Sequence, residues 1–136
     1  MSSSVTSKKV QPNYSFSTSF IANKVIAITG PTNGIGKAFV YRLINEKKQE
    51  NKPRKIIIIS RNAEKLEKLR NDIVTTGGME CTVYVCDCGV QKEVLQICDE
   101  IMQKENQLDC LVSNHGTFCP KSKKQVVKGD DPYEIH

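Results

Sequence analysis

Apolar positions along the chain follow two alternating patterns. Short continuous apolar runs at residues 24–29 (Val25, Ile26, Ala27, Ile28) and 55–60 (four consecutive isoleucines) predict strands covered on both faces. Residues 80–85 and 109–113 predict a third and a fourth strand. Between the strands the spacing lengthens to that of a helix. Residues 34–45 carry Ile35, Ala38, Phe39 and Leu43 on one face. A second helix, capped by Asn62, carries Leu66, Leu69 and Ile73, and Gly77-Gly78 ends it because glycine reaches positive φ without strain. Residues 90–103 predict a third helix with Val94, Ile97, Cys98 and Ile101 inward. The polar stretch 47–54, with Pro53, reads as a connecting loop. Four strands separated by three helices imply right-handed crossovers and a parallel sheet, an α/β architecture.

The flanks lack this periodicity. Residues 1–20 are Ser/Thr-rich and are expected to form a flexible tail, with one domain over 21–136. Hydrophobic residues make up 38% and charged residues 26%, which suits a globular chain rather than a disordered one. No run approaches the roughly 20 apolar residues of a membrane span. The net charge of +5 is dispersed, dense only near residues 47–55 and 121–124, and has no interleaved aromatics, so no nucleic-acid partner is expected. With no apolar core for a signal peptide in residues 1–20, the six cysteines (Cys81, Cys86, Cys88, Cys98, Cys110, Cys119) are expected to be reduced thiols of a cytoplasmic protein. Cys86-x-Cys88 has no second pair to complete a zinc site, so no metal is expected.

The chemistry concentrates in Thr29-Gly30-Pro31-Thr32-Asn33-Gly34-Ile35-Gly36, between the first predicted strand and helix. Gly30 permits a tight turn, Gly34 lets backbone approach a diphosphate, and Gly36 allows close helix–sheet packing. The helix amino end then offers free N–H groups and partial positive charge to phosphate. No Gly-Lys-Ser/Thr closes the motif, so it is not a P-loop. At the end of the second strand, where NAD enzymes of such folds place an acid, stand Ser60 and Arg61. A hydroxyl and a planar cation suit a 2′-phosphate, so NADP(H) is expected over NAD(H).

The Gly-x-x-x-Gly-x-Gly spacing after Thr29 resembles the short-chain dehydrogenase/reductase family, and the resemblance runs from about residue 21 to 136. Residues 30–39 are similar to the ketoacyl and steroid reductase branch. Residues 119–136 resemble the loop before the fifth helix of retinol-dehydrogenase-like members. The resemblance implies a Rossmann fold, of which this chain would be the N-terminal half of a doubly wound sheet, in strand order 3-2-1-4. It implies that Asp87 and the amide of Cys88 face the adenine. It also implies that Asn114 steadies the sheet and that Gly116 passes beside the cofactor ribose. Ser113 and His115 depart from the family's Asn-Asn-Ala-Gly pattern at this point. Thr32, Asn33 and Ile35 complete the expected cofactor-binding set.

Family members use a tyrosine acidified by a lysine four residues later. Here Tyr14, Tyr41 and Tyr84 are followed at that distance by Thr18, Asn45 and Cys88, and Tyr133 has no such position. No catalytic residue is therefore assigned. The chain is expected to be a truncated, inactive cofactor-binding portion of an enzyme acting on small lipophilic alcohols or carbonyls. Its open sheet edge would be available for association. A non-catalytic dinucleotide-binding or interaction module, or a fragment without function, is the alternative. The same resemblance suggests the cytoplasmic face of the endoplasmic reticulum as a possible location.

Overall fold

The structure, a computed structural model, describes residues 18–116. The strands are β1 (Val25–Thr29), β2 (Lys55–Ser60), β3 (Glu80–Val85) and β4 (Cys110–Val112). The helices are α1 (Gly34–Ile44), α2 (Ala63–Thr75) and α3 (Gln91–Lys104). All strand pairs are parallel, in the order β3-β2-β1-β4, the arrangement expected from the alternating pattern.

The isoleucine run of β2 is explained by its two covered faces. Ile56 and Ile58, with Ile26 and Ile28 of β1, pack beneath Val40, Leu43 and Ile44 of α1 and Leu66, Leu69 and Ile73 of α2. Ile57 and Ile59, with Val25, Ala27, Tyr84 and Cys86, face the other way, against Val94, Ile97 and Ile101 of α3. Successive strand residues thus alternate between two separate cores, so neither strand has a polar face. Asn62 caps α2 by accepting from the Lys65 amide at 3.0 Å. Gly78, at φ +68°, turns the chain out of it.

Several local expectations are corrected. The buried stripe of α1 is Gly36, Val40, Leu43 and Ile44, whereas Ile35 is 82% exposed and Ala38 is also exposed. Gly36 carries no hydropathy of its own, so counting apolar side chains rotates the stripe towards Ile35. Cys98 lies on the exposed side of α3, leaving Val94, Ile97 and Ile101 as its inward residues. The stretch 47–54 holds a 3-10 turn at Gln49–Asn51 and a buried Lys52. The Lys52 ammonium donates to the carbonyls of Ile44 and Gly77, so it pins the chain ends of α1 and α2 together. Thr18, in the stretch read as tail, is buried and donates to Glu46 at 2.9 Å.

β4 spans Cys110–Val112, shorter than the expected 109–113, yet Asp109 extends the tie to β1. Its amide donates to the Val25 carbonyl, and its carboxylate accepts from the Val25 amide, both at 2.8 Å. The Val25 amide and then Gln107 hold the Asp109 carboxyl below the ordinary value of 3.8. The Lys48 amide, the Thr18 hydroxyl and the Arg42 guanidinium do the same for Glu46. Carboxyls lowered on folding add stability that is full above their unfolded values and is lost as pH falls through the folded ones. Unfolding midpoints in urea are expected to be flat from neutral pH down to about 5 and to fall below about 4. Asp109→Asn combined with Glu46→Gln should flatten that acid limb; an unchanged limb would contradict the assignment. Among the described residues no helix is long and apolar enough to cross a membrane.

Candidate functional site

The site begins where β1 ends. Gly30 (φ +67°) and Gly34 (φ +57°) give the β1–α1 turn a shape that side chains with a Cβ resist. The Thr29 hydroxyl accepts from the amides of Asn114 and His115 at 3.0 and 3.1 Å. The Asn114 side-chain amide donates to the Gly30 carbonyl at 3.0 Å. The segment after β4 is thereby strapped to the glycine turn. A Cβ on Gly36 would stand 2.3 Å from Asn114 Nδ2 and 2.5 Å from the Gly30 carbonyl oxygen, so Gly36 is required by this strap.

The first turn of α1 has no side-chain cap. Asn33 holds the capping position but makes no capping bond, and its Oδ1 instead lies 3.5 Å from the Lys65 ammonium. A Cβ on Gly34 would meet nothing within 4 Å, so open space faces the turn. An uncapped helix amino end beside open space fits a phosphate-bearing ligand such as a dinucleotide.

This space is a cleft of about 600 Å³ above the carboxyl ends of the strands. Gly30, Thr32, Asn33, Gly34, Ile35, Ser60, Arg61, Asp87, Cys88, Asn114 and Gly116 line it; of the sequence-predicted residues, Gly36 alone stands behind it. Ile35, exposed on α1, is thus one of the residues lining the cleft. Arg61 is exposed and makes no hydrogen bond or ion pair among the described residues. Asp87 is more engaged. Its Oδ1 accepts from the Gly89 amide at 2.9 Å, and its own amide donates to Glu93 at 2.9 Å, which shapes the turn into α3.

Cys86 and Cys88 flank Asp87 at the cleft. Burial pushes the Cys86 thiol up to about 12 and raises Cys88 as well, so both are held as neutral thiols at physiological pH. Among the described residues no three His, Cys, Asp or Glu side chains gather to hold a metal.

Asn62, Lys65, Cys86, Gly89 and His115 also line the cleft and were not among the cofactor-binding residues expected from the sequence. For Lys65 a signal existed. It is a cation in the first turn of a helix, where the helix dipole disfavours positive charge.

A parallel sheet wound 3-2-1-4, with its cleft above a glycine-bearing strand–helix turn, defines a Rossmann-type fold. The short chain dehydrogenase family pattern matches residues 24–132, and the chain belongs to that family. It is 34% identical over 93 residues to the human inactive hydroxysteroid dehydrogenase-like protein 1, covering 68% of this chain and 26% of that protein. Among solved structures, a metagenomic short-chain oxidoreductase in complex with NADP is 25% identical with a TM-score of 0.60, over 71% of this chain and 41% of that one. NAD+-bound xylitol dehydrogenase is 28% identical with a TM-score of 0.55, over 67% and 32%. The chain spans about a quarter of the length of the curated relatives it matches first.

Proposed function

We propose that the cleft is the adenosine and diphosphate half-site of an NADP(H)-dependent short-chain dehydrogenase/reductase. The observation that carries this reading is the convergence on one cleft of the uncapped glycine turn, the Asp87–Cys88 turn and Arg61, which is unpaired among the described residues. In this reading the first-turn amides of α1 hold the diphosphate, with Gly34 allowing its close approach. Arg61 and Ser60 take the 2′-phosphate, and Asp87 with the Cys88 amide faces the adenine. Asn114 keeps the glycine turn in place, and Gly116 runs beside the ribose. The nicotinamide, when bound, supplies hydride exchange with the carbon of a small lipophilic alcohol or carbonyl compound.

The 136 residues contain no Tyr-x-x-x-Lys to deliver the accompanying proton, so these residues by themselves bind cofactor without turning over substrate. The human relative's description as inactive favours a second reading, in which the module binds a dinucleotide and never catalyses. Partner association would then use the β4 edge, where Leu111 is 59% exposed.

The two cofactors discriminate the 2′-phosphate assignment. A charge-assisted contact of about 1.5–3 kcal/mol corresponds to roughly 10–150-fold in affinity. Calorimetry is expected to show NADPH binding weakened by that factor in Arg61→Asp, with NADH binding changed far less. Equal losses for both cofactors would remove Arg61 from the 2′-phosphate site.

A further inference from the structure

We propose that the outer edge of β3, with the groove of about 300 Å³ between β3 and α3, is where a second copy of this chain docks, edge to edge and antiparallel. β3 ends the sheet order, and among the described residues no strand pairs with its outer side. It also ends a doubly wound sheet of order 3-2-1-4-5-6, in which β4 is internal. The Glu80 and Cys86 amides donate inward, to the Arg54 and Ser60 carbonyls. Backbone groups alternate sides along a strand, so the N–H and C=O groups of Cys81, Val83 and Val85 point outward. The devices that blunt such an edge are missing here. Residues 81–85 hold no proline and no charge, their register with β2 is unbroken, and Val85 is 51% exposed.

A second copy suits this edge because the edge is complementary to itself. A two-fold axis normal to the sheet at Val83 sets Val83 against its own copy and Cys81 against Val85 of the second copy. All the outward groups of these residues then face one another in an antiparallel ladder. The charges on α3 follow the same symmetry. Glu93 stands at the carboxyl end of β3, where it accepts from the Asp87 amide at 2.9 Å. Lys104 stands at the start of the strand, beside Glu105, which is bonded to Lys55, the register partner of Glu80. Both Glu93 and Lys104 line the groove. The axis keeps α3 on the same face in both copies and reverses its direction. Glu93 of each copy is thus brought towards Lys104 of the other, twice over, with the helix dipoles opposed in the favourable sense.

Sedimentation equilibrium of the full chain over a range of concentrations is the test, and a reversible monomer–dimer equilibrium is expected. Val85→Pro removes an outward donor at a place where an edge strand tolerates proline, and should weaken the dimer roughly tenfold or more. Lys104→Glu and Glu93→Lys should each weaken it roughly 5- to 20-fold. An equimolar mixture of those two variants should recover the dimer, because the mixed pair carries both opposite-charge contacts. Leu111→Lys, on the β4 edge, should leave the dimer as strong as before. A folded chain that stays monomeric throughout overturns the proposal. So does a dimer that Leu111→Lys breaks and Val85→Pro spares, or a mixture of the two charge variants that recovers nothing. Circular dichroism on each variant separates lost folding from lost association.

Discussion

Gly36→Ala is expected to destabilise the chain by about 2–4 kcal/mol and to abolish dinucleotide binding at concentrations that saturate the unaltered protein. The added methyl would stand 2.3 Å from Asn114 Nδ2 and 2.5 Å from the Gly30 carbonyl oxygen. The first neighbour is a side chain that can move, but moving it breaks the 3.0 Å bond from Asn114 to Gly30. The second is backbone of the glycine turn itself. Relief of the clash therefore displaces either the strap after β4 or the turn that faces the cleft. Overpacking of this kind costs roughly 1–3 kcal/mol, and the lost hydrogen bond adds about 1 kcal/mol. Gly34→Ala is the informative comparison, since its Cβ meets nothing and its penalty comes from φ +57° alone. Urea unfolding of the two variants checks the ranking, and a Gly36→Ala protein as stable as Gly34→Ala would contradict the packing argument.

Lys52→Met is expected to cost about 2–4 kcal/mol in urea unfolding without changing the cleft. Lys52 is 8% exposed, and its ammonium donates to the Ile44 and Gly77 carbonyls. Methionine fills most of the stem volume but donates nothing, so each carbonyl loses its cationic donor. Leaving a buried polar group unsatisfied costs roughly 1–3 kcal/mol. The effect on nucleotide affinity should be small, because Lys52 sits at the carboxyl end of α1 and the cleft at its amino end. A variant with unchanged stability would mean that water replaces the ammonium at no cost.

The layered fold was legible because its signal is local. Consecutive isoleucines at 56–59 can face two cores only in a strand covered on both sides, and the two clusters divide them in alternation. The Asn62 cap and the Gly78 exit from α2 were legible for the same reason, since each acts within a few residues. The candidate cleft was readable wherever a residue type carries its own geometric reason, as at Gly30, Gly34 and Arg61. What stayed hidden was long-range or lacked a side-chain signal. The Thr29 hydroxyl meets the Asn114 amide across 85 positions, and no spacing rule connects them. Lys52 was read only as part of a polar connecting loop because charged residues are rarely buried, and its carbonyl partners lie 8 and 25 positions away. Gly36 shifted the perceived face of α1 by contributing burial without hydropathy. Residues 117–136, including Cys119 and the stretch likened to a family loop, lie outside the described residues.

Amide chemical-shift mapping of the full chain during an NADPH titration tests the central claim most directly. The account predicts saturable shifts concentrated at Gly30, Gly34, Ile35, Arg61, Cys88 and Gly116. Residues of the separate groove between β3 and α3 that do not line the cleft, such as Thr82, Gln96 and Glu100, should stay still. A folded chain whose cleft amides do not respond to NADPH, or whose shifts gather in that other groove, would contradict it.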